Sequence, residues 1–223
     1  MQPLKIERKD YPAVGEVVYQ STLQNGLRVF FLPKQEFNEV YGIMTVNFGS
    51  IDTRFIPHGA NQVVQYPAGV AHFLEHKLFE DEHGQDILQQ FVELGAEGNA
   101  FTSFTKTSYL FSATDNVLES VSLLQSLLGN AYFTEESVQR EQEIIQQEID
   151  MYKDNPDYCL YFHTLANLYP DTPLAEDIAG SIESVTEITV EDLDKNFESF
   201  YCPSNMSLLL IGDFELEKTI TVI

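Results

Sequence analysis

The stretch His72-Phe73-Leu74-Glu75-His76, inside a run from Val70 to Glu80, decides how this chain is read. Helical neighbours at i and i+4 share a face, so a helix here aims both imidazoles at one spot. Glu75, at i+3 from His72, falls beside them. Two neutral imidazoles leave room on Zn²⁺ for a third protein ligand and a water, and a neighbouring carboxylate can take that water's proton. The order H-x-x-E-H is the inverse of H-E-x-x-H. Taken alone, these residues also suit an amphipathic helix whose histidines are surface or packed core groups. Phe73, Leu74, Leu78 and Phe79 give such a helix its core face.

A second helical segment supplies the missing ligand. Thr134 reads as its N-cap, Glu135 and Glu136 suit the positive end of the helix dipole, and Asn155-Pro156 stops the run after Lys153. Ile144, Ile145, Glu148, Met151 and Tyr152 recur at helical spacing, which predicts Glu148 on a buried apolar stripe. A carboxylate there is costly unless a cation pairs with it. Glu141 lies near the same face two turns earlier, and Glu143 reads as an ordinary solvated charge.

With these two helices the chain resembles the pitrilysin zinc peptidases, the inverzincins of peptidase family M16, which include insulin-degrading enzymes and mitochondrial processing peptidases. The resemblance rests on H-x-x-E-H at His72 to His76 and on a later helix of the form E-R-x-V-I-x-E-E-I-x-M-Y-x-D-x-P, here Glu141 to Pro156. Gln147 departs from it, standing where many relatives carry Glu. By that match His72, His76 and Glu148 are implied zinc ligands, Glu75 the general base and Glu141 a supporting acid. The resemblance also implies that Asn99, Ala100, Phe101 and Thr102 form an edge strand that receives a peptide substrate by strand addition, with Phe101 lining a side-chain pocket. Without the family, the same segment is a plain hairpin strand paired with Thr107 to Ala113. Asn47-Phe48-Gly49-Ser50 and Leu210 to Phe214 extend the likeness over Gly26 to Phe214, and within the family it points to the bacterial YmfH-like branch.

Pitrilysin-type subunits contain two related domains. The resemblance therefore implies that residues 1–214 are an N-terminal metal-binding peptidase domain and 215–223 the cut-short start of the segment leading to a second domain. The expected function is that of a zinc metalloendopeptidase, with this chain binding zinc but cleaving weakly or not at all without a second domain or a partner subunit in a homo- or heterodimer. The rival from another class is a non-catalytic pitrilysin-like subunit acting in assembly or peptide binding. The related S-ribosylhomocysteinase also uses H-x-x-E-H, with a cysteine as third ligand, but neither Cys159 nor Cys202 has that context.

Composition narrows the partners. With 35 acidic against 12 basic residues and a formal charge of −23, the chain argues against nucleic acid and anionic membrane as partners. The charge suits basic peptides, and equally a generally acidic proteome. Two cysteines without a CxxC or Cys/His cluster read as reduced thiols. Met1 to Lys5 lack the basic-then-apolar signature of a signal peptide, and no apolar run is long enough for a bilayer, so the expected location is cytoplasmic.

The remaining pattern predicts a hairpin (Val17 to Thr22 and Leu27 to Leu32, turning at Asn25-Gly26), a strand over Tyr41 to Phe48, a long loop from Ser50 to Gly69, and a short helix ending at Gly95. Further on it predicts a helix capped by Asp115, another over Asp157 to Leu168, an irregular stretch from Pro170 to Ile188, a helix over Val190 to Phe200, and a last strand over Met206 to Ile211. His58 reads as a solvated loop residue, His83 as a loop residue, and His163 as packed among aromatics. Strands and helices do not alternate strictly. This predicts an α+β fold, a mostly antiparallel sheet with helices packed on one face, the LuxS/MPP-like architecture that the resemblance implies.

Overall fold

Strict alternation of buried and half-exposed residues builds the sheet. The computed structural model describes residues 5–223, so all but Lys5 of the stretch Met1 to Lys5, on which the signal-peptide expectation turns, lies outside the described residues. Seven strands, β1 (Glu7–Tyr11), β2 (Glu16–Thr22), β3 (Arg28–Pro33), β4 (Val40–Val46), β7 (Ala96–Thr102), β8 (Thr107–Ala113) and β9 (Met206–Gly212), line up in the order β1-β2-β3-β9-β4-β8-β7. A separate small hairpin joins β5 (Arg54–Phe55) to β6 (Val64–Gln65). All pairings are antiparallel except β3 with β9. In β4, Val40, Met44 and Val46 are buried while Tyr41, Ile43 and Thr45 are half-buried, and β9 repeats the pattern with Met206, Leu208 and Leu210. One face is thus sealed and the other partly open, as for an antiparallel sheet packed on one side. The α+β arrangement expected from the sequence is the one found.

The helices that seal it are α1 (Val70–Lys77), α2 (Ile87–Glu93), α3 (Val117–Gly129), α4 (Glu135–Lys153), α5 (Pro156–Leu168), α6 (Ile182–Glu187), α7 (Val190–Phe200) and α8 (Leu216–Ile220). The first helix packs against α4, α7, β7 and β8, so it is gripped on several sides. Its entry is fixed by backbone crossing. Gly69 has φ +92°, and a Cβ there would collide with the carbonyl oxygen of Ala179. Gly180, φ +79°, lies as tightly against the carbonyl of Ala68. The segment after α5 therefore clamps the first turn of α1.

Several local expectations are corrected. Charged β1 forms an edge strand with no apolar alternation to announce it. The loop from Ser50 to Gly69 is anchored: Phe55 stacks on Tyr66 at 4.9 Å and meets Phe200 of α7 edge-on at 4.6 Å. Asp115 does not cap α3. Asn116 takes that position in a left-handed conformation (φ 50°) and its amide donates to the carbonyl of Leu94 at 2.9 Å, tying α3 to the end of α2. The stretch read as irregular contains α6, opened by a reciprocal Ser181–Ser184 capping box. His163 is exposed and not packed. Residues 215–223 fold back, with Ile220, Val222 and Ile223 against the core.

Candidate metal centre

Two helices and one strand converge on the H-x-x-E-H turn. Buried Val70, Ala71, Phe73 and Leu74 turn the inner face of α1 to the core and leave His72, Glu75 and His76 at its rim. The fourth helix begins where Thr134 accepts from the Ser137 backbone N–H, with Ser137 returning the bond, and it carries Glu148 to the same place. The apolar stripe predicted for it is rotated by about a residue. Val138, Ile145 and Ile149 are buried, whereas Ile144 and Met151 are 46% and 63% exposed. Glu148 therefore sits at the edge of the buried stripe, opening on the imidazoles, and not within it.

Glu148 Oε2 lies 3.8 Å from His72 Nε2 and 3.5 Å from His76 Nε2. The two rings are 4.5 Å apart at 62°. Among the described residues, one group of His, Cys, Asp and Glu has donor atoms within 4.8 Å of one another as a metal site needs, and it is His72, His76 and Glu148. Neither cysteine joins it. His83 is exposed beside Glu82, and exposed His58 uses its backbone N–H to reach Ser199 Oγ.

Around these three the surroundings differ. His76 Nδ1 pairs with Glu141 Oε1 at 2.9 Å. An ionised carboxylate only accepts, so in the neutral ring the proton sits on Nδ1 and the Nε2 lone pair faces Glu148. Burial tends to lower the His76 pKa, but Glu141, then Glu148 and Glu75, outweigh it and the net direction is up. For His72, burial and the neighbouring His76 push the pKa down to about 3, and its Nδ1 is buried without a partner. Burial raises the Glu75 carboxyl, opposed by the hydrogen bond from Thr102.

A groove of about 810 Å³ leaves Glu75 and His76, passes Asn99 and Ala100 on one side and Tyr132 and Arg140 on the other, and reaches the Asp81–Gly84 turn. The strand β7 is one of the two edge strands of the sheet, as the strand-addition expectation needs. Phe101, expected to line a pocket, does not border the groove. It is 40% exposed, with the Lys106 ammonium 5.9 Å from its ring. Thr102 turns inward to Glu75.

Sequence reasoning missed an ion chain that joins the two ligand-bearing helices. Fully buried Lys77 pairs with Glu80, whose other oxygen takes Arg140 of α4 at 2.6 Å. The signal was present: a lysine on the apolar face of α1, with Glu80 one turn on, needs a partner to be buried there.

Comparison with known proteins places this arrangement. The insulinase family, peptidase family M16, matches residues 55–181. A Bacillus subtilis (strain 168) protein described as an uncharacterized zinc protease, YmfH, is 48% identical over 95% of the chain and 49% of its own length. A structure described as an M16-like peptidase from Alicyclobacillus acidocaldarius superposes with TM-score 0.87 at 36% identity, over 100% of this chain and 49% of that one. A peptidase M16 inactive domain from Pseudomonas fluorescens shares the fold alone, with TM-score 0.76 at 21% identity over 92% of this chain and 48% of that one. The chain spans about half the length of the curated relatives it matches. Among the described residues no helix is long and apolar enough to cross a membrane. With nearly half its residues identical to the zinc protease YmfH across almost its whole length, the chain belongs to the insulinase family, peptidase family M16.

Proposed function

We propose that this chain is the metal-binding half of a zinc metalloendopeptidase, with His72, His76 and Glu148 as zinc ligands, Glu75 as general base and Glu141 as the acid that orients His76. The observation that carries this is the convergence of two Nε2 atoms and one carboxylate oxygen, with Glu148 Oε2 at 3.5 and 3.8 Å from the imidazoles. Tetrahedral donors about 2.0–2.2 Å from zinc lie roughly 3.3–3.6 Å from one another, so the two separations from Glu148 are already near the required values. The donor chemistry fits too: two neutral imidazoles and a carboxylate leave a position free for water. Bound there, zinc supplies Lewis-acid activation of water and of a scissile carbonyl.

The chain's own residues do the rest. Thr102 holds Glu75 Oε2, which leaves Oε1 to take the proton of the attacking water and later pass it to the leaving amine. Asn99 and Ala100, on this edge strand beside the groove, would pair with an extended peptide. Because the chain spans half the length of its relatives, we read residues 1–214 as the metal-binding domain and assign the remaining substrate contacts to a second domain or partner subunit.

The test uses the complete natural protein and this chain side by side. Glu75→Gln should retain zinc by elemental analysis and lose turnover by about 10²-fold or more. The chain alone should bind zinc with little or no cleavage. Peptide hydrolysis by Glu75→Gln at the parent rate would remove the base from the scheme, and an inactive, zinc-loaded parent would favour a non-catalytic subunit.

A further inference from the structure

We propose that Thr102 is a positioning residue for the Glu75 carboxylate, and not a substrate contact. The inference rests on the reading of Glu75 as base given above. Thr102 ends β7 directly across from Thr107 of β8. Its Oγ1 is 2.5 Å from Glu75 Oε2 and 3.4 Å from Thr107 Oγ1. Thr107 is fully buried and donates to the carbonyl of Phe48 at 2.9 Å.

Proton counting fixes the direction of this chain. Each hydroxyl has one proton. Phe48 offers only a carbonyl acceptor, so the Thr107 proton points there and Thr107 cannot donate to Thr102. The Thr102 proton is left for Glu75 Oε2. The hydroxyl that faces the base is thereby anchored through its strand partner to the chain just before Gly49, where a Cβ would meet the backbone of Phe104 at 2.5 Å. A glutamate on a helix rim has several rotatable bonds. A donor fixed by two strands holds one of its oxygens and leaves the other free of that bond, on a residue that borders the groove.

A substrate contact and a positioning role differ in kinetics. Loss of uniform substrate binding raises KM at constant kcat, whereas a displaced base lowers kcat at constant KM. The complete natural protein, assayed on a quenched-fluorescence peptide library, separates them with Thr102→Val, Thr102→Ser and Glu75→Gln, each checked for zinc by elemental analysis. Thr102→Val should keep its zinc and KM and lose about 10- to 100-fold in kcat, the scale of a small misplacement of a reacting group. Thr102→Ser should restore kcat to within about threefold. Crystal structures of the two variants give a readout free of turnover: the Glu75 carboxylate should rotate away in the valine protein and stay in the serine protein. A raised KM with unchanged kcat, or a Glu75 carboxylate unmoved in Thr102→Val, overturns the proposal. If Thr102→Val does not fold, Thr102→Ala carries the same comparison. Parent-level turnover by Glu75→Gln sinks the reading of the base itself, while an inactive Glu75→Gln beside a fully active Thr102→Val sinks the positioning role alone.

Discussion

His72 and His76 stand one turn apart on the same helix, yet each is held by different physics. The His72 side chain is 12% exposed, with its Nδ1 buried and unpartnered, and desolvation keeps it neutral by pulling its pKa to about 3. His76 is 27% exposed and is oriented by the Glu141 carboxylate, which turns its Nε2 lone pair toward Glu148. One imidazole is prepared by packing and the other by a hydrogen bond. A ring nitrogen left unpaired in the interior costs about 1–3 kcal/mol, so the His72 side carries a penalty that the His76 side does not. A cation among the three groups would supply a partner for both Nε2 atoms and for Glu148 at once.

The largest effect follows from removing either ring. His72→Ala and His76→Ala should each weaken zinc binding by well over about 100-fold, beyond what loss of an outer partner causes, as read by competition with a chromophoric chelator. If one of the two retains parent affinity, that imidazole is no ligand and the comparison fails on its side.

Next in size is Glu141→Gln. It leaves all three donors and removes only the acid behind His76, so zinc affinity should fall by about 10- to 100-fold. An amide can still accept from Nδ1–H, so the charge is tested more than the contact. Unchanged affinity would mean that the charge on Glu141 adds nothing to His76 as a ligand beyond the hydrogen bond that an amide also makes.

The surroundings of these residues were unequally legible in the sequence. The α1 turn and the capped, proline-stopped α4 could be read because spacing and end signals agree, and β7 because its partner β8 alternates. The buried face of α4 was misread because Ile144 and Met151 are apolar yet exposed, which shifted the inferred stripe toward Glu148. A one-position rotation is all that separates a carboxylate inside a core from one at its rim. Lys77, whose burial depends on Glu80 and through it on Arg140, and Thr102, whose partner is Glu75 on another element, needed the fold. Such contacts are set by tertiary register, which local patterns do not encode. The short α6 escaped because its box pairs two serines in place of the usual Ser/Thr with Glu/Gln.

The smallest effect is a pH signature of the metal-free protein. An unfolded histidine titrates near 6.5. The folded pKa of His72 is depressed, so below that value the unfolded chain takes up a proton that the folded one refuses, and stability falls as the pH drops from about 6.5 toward 3. The folded pKa of His76 is raised, so its contribution is fully present below about 6.5 and is lost as the pH climbs through the raised value. Glu75, also raised, adds a contribution of the same sign as His76 in acid, lost as pH rises through its own folded value. Subtracting one protein from another isolates His76. In chelator, denaturant titrations of the parent and of Glu141→Gln from pH 5.5 to 8.5 should show the parent the more stable at the acid end, with the difference shrinking as the pH rises. A constant gap across that range would mean that Glu141 does not govern His76 protonation. The hydrogen bond at 2.9 Å would then be a contact without the electrostatic role that sets this imidazole apart from its neighbour.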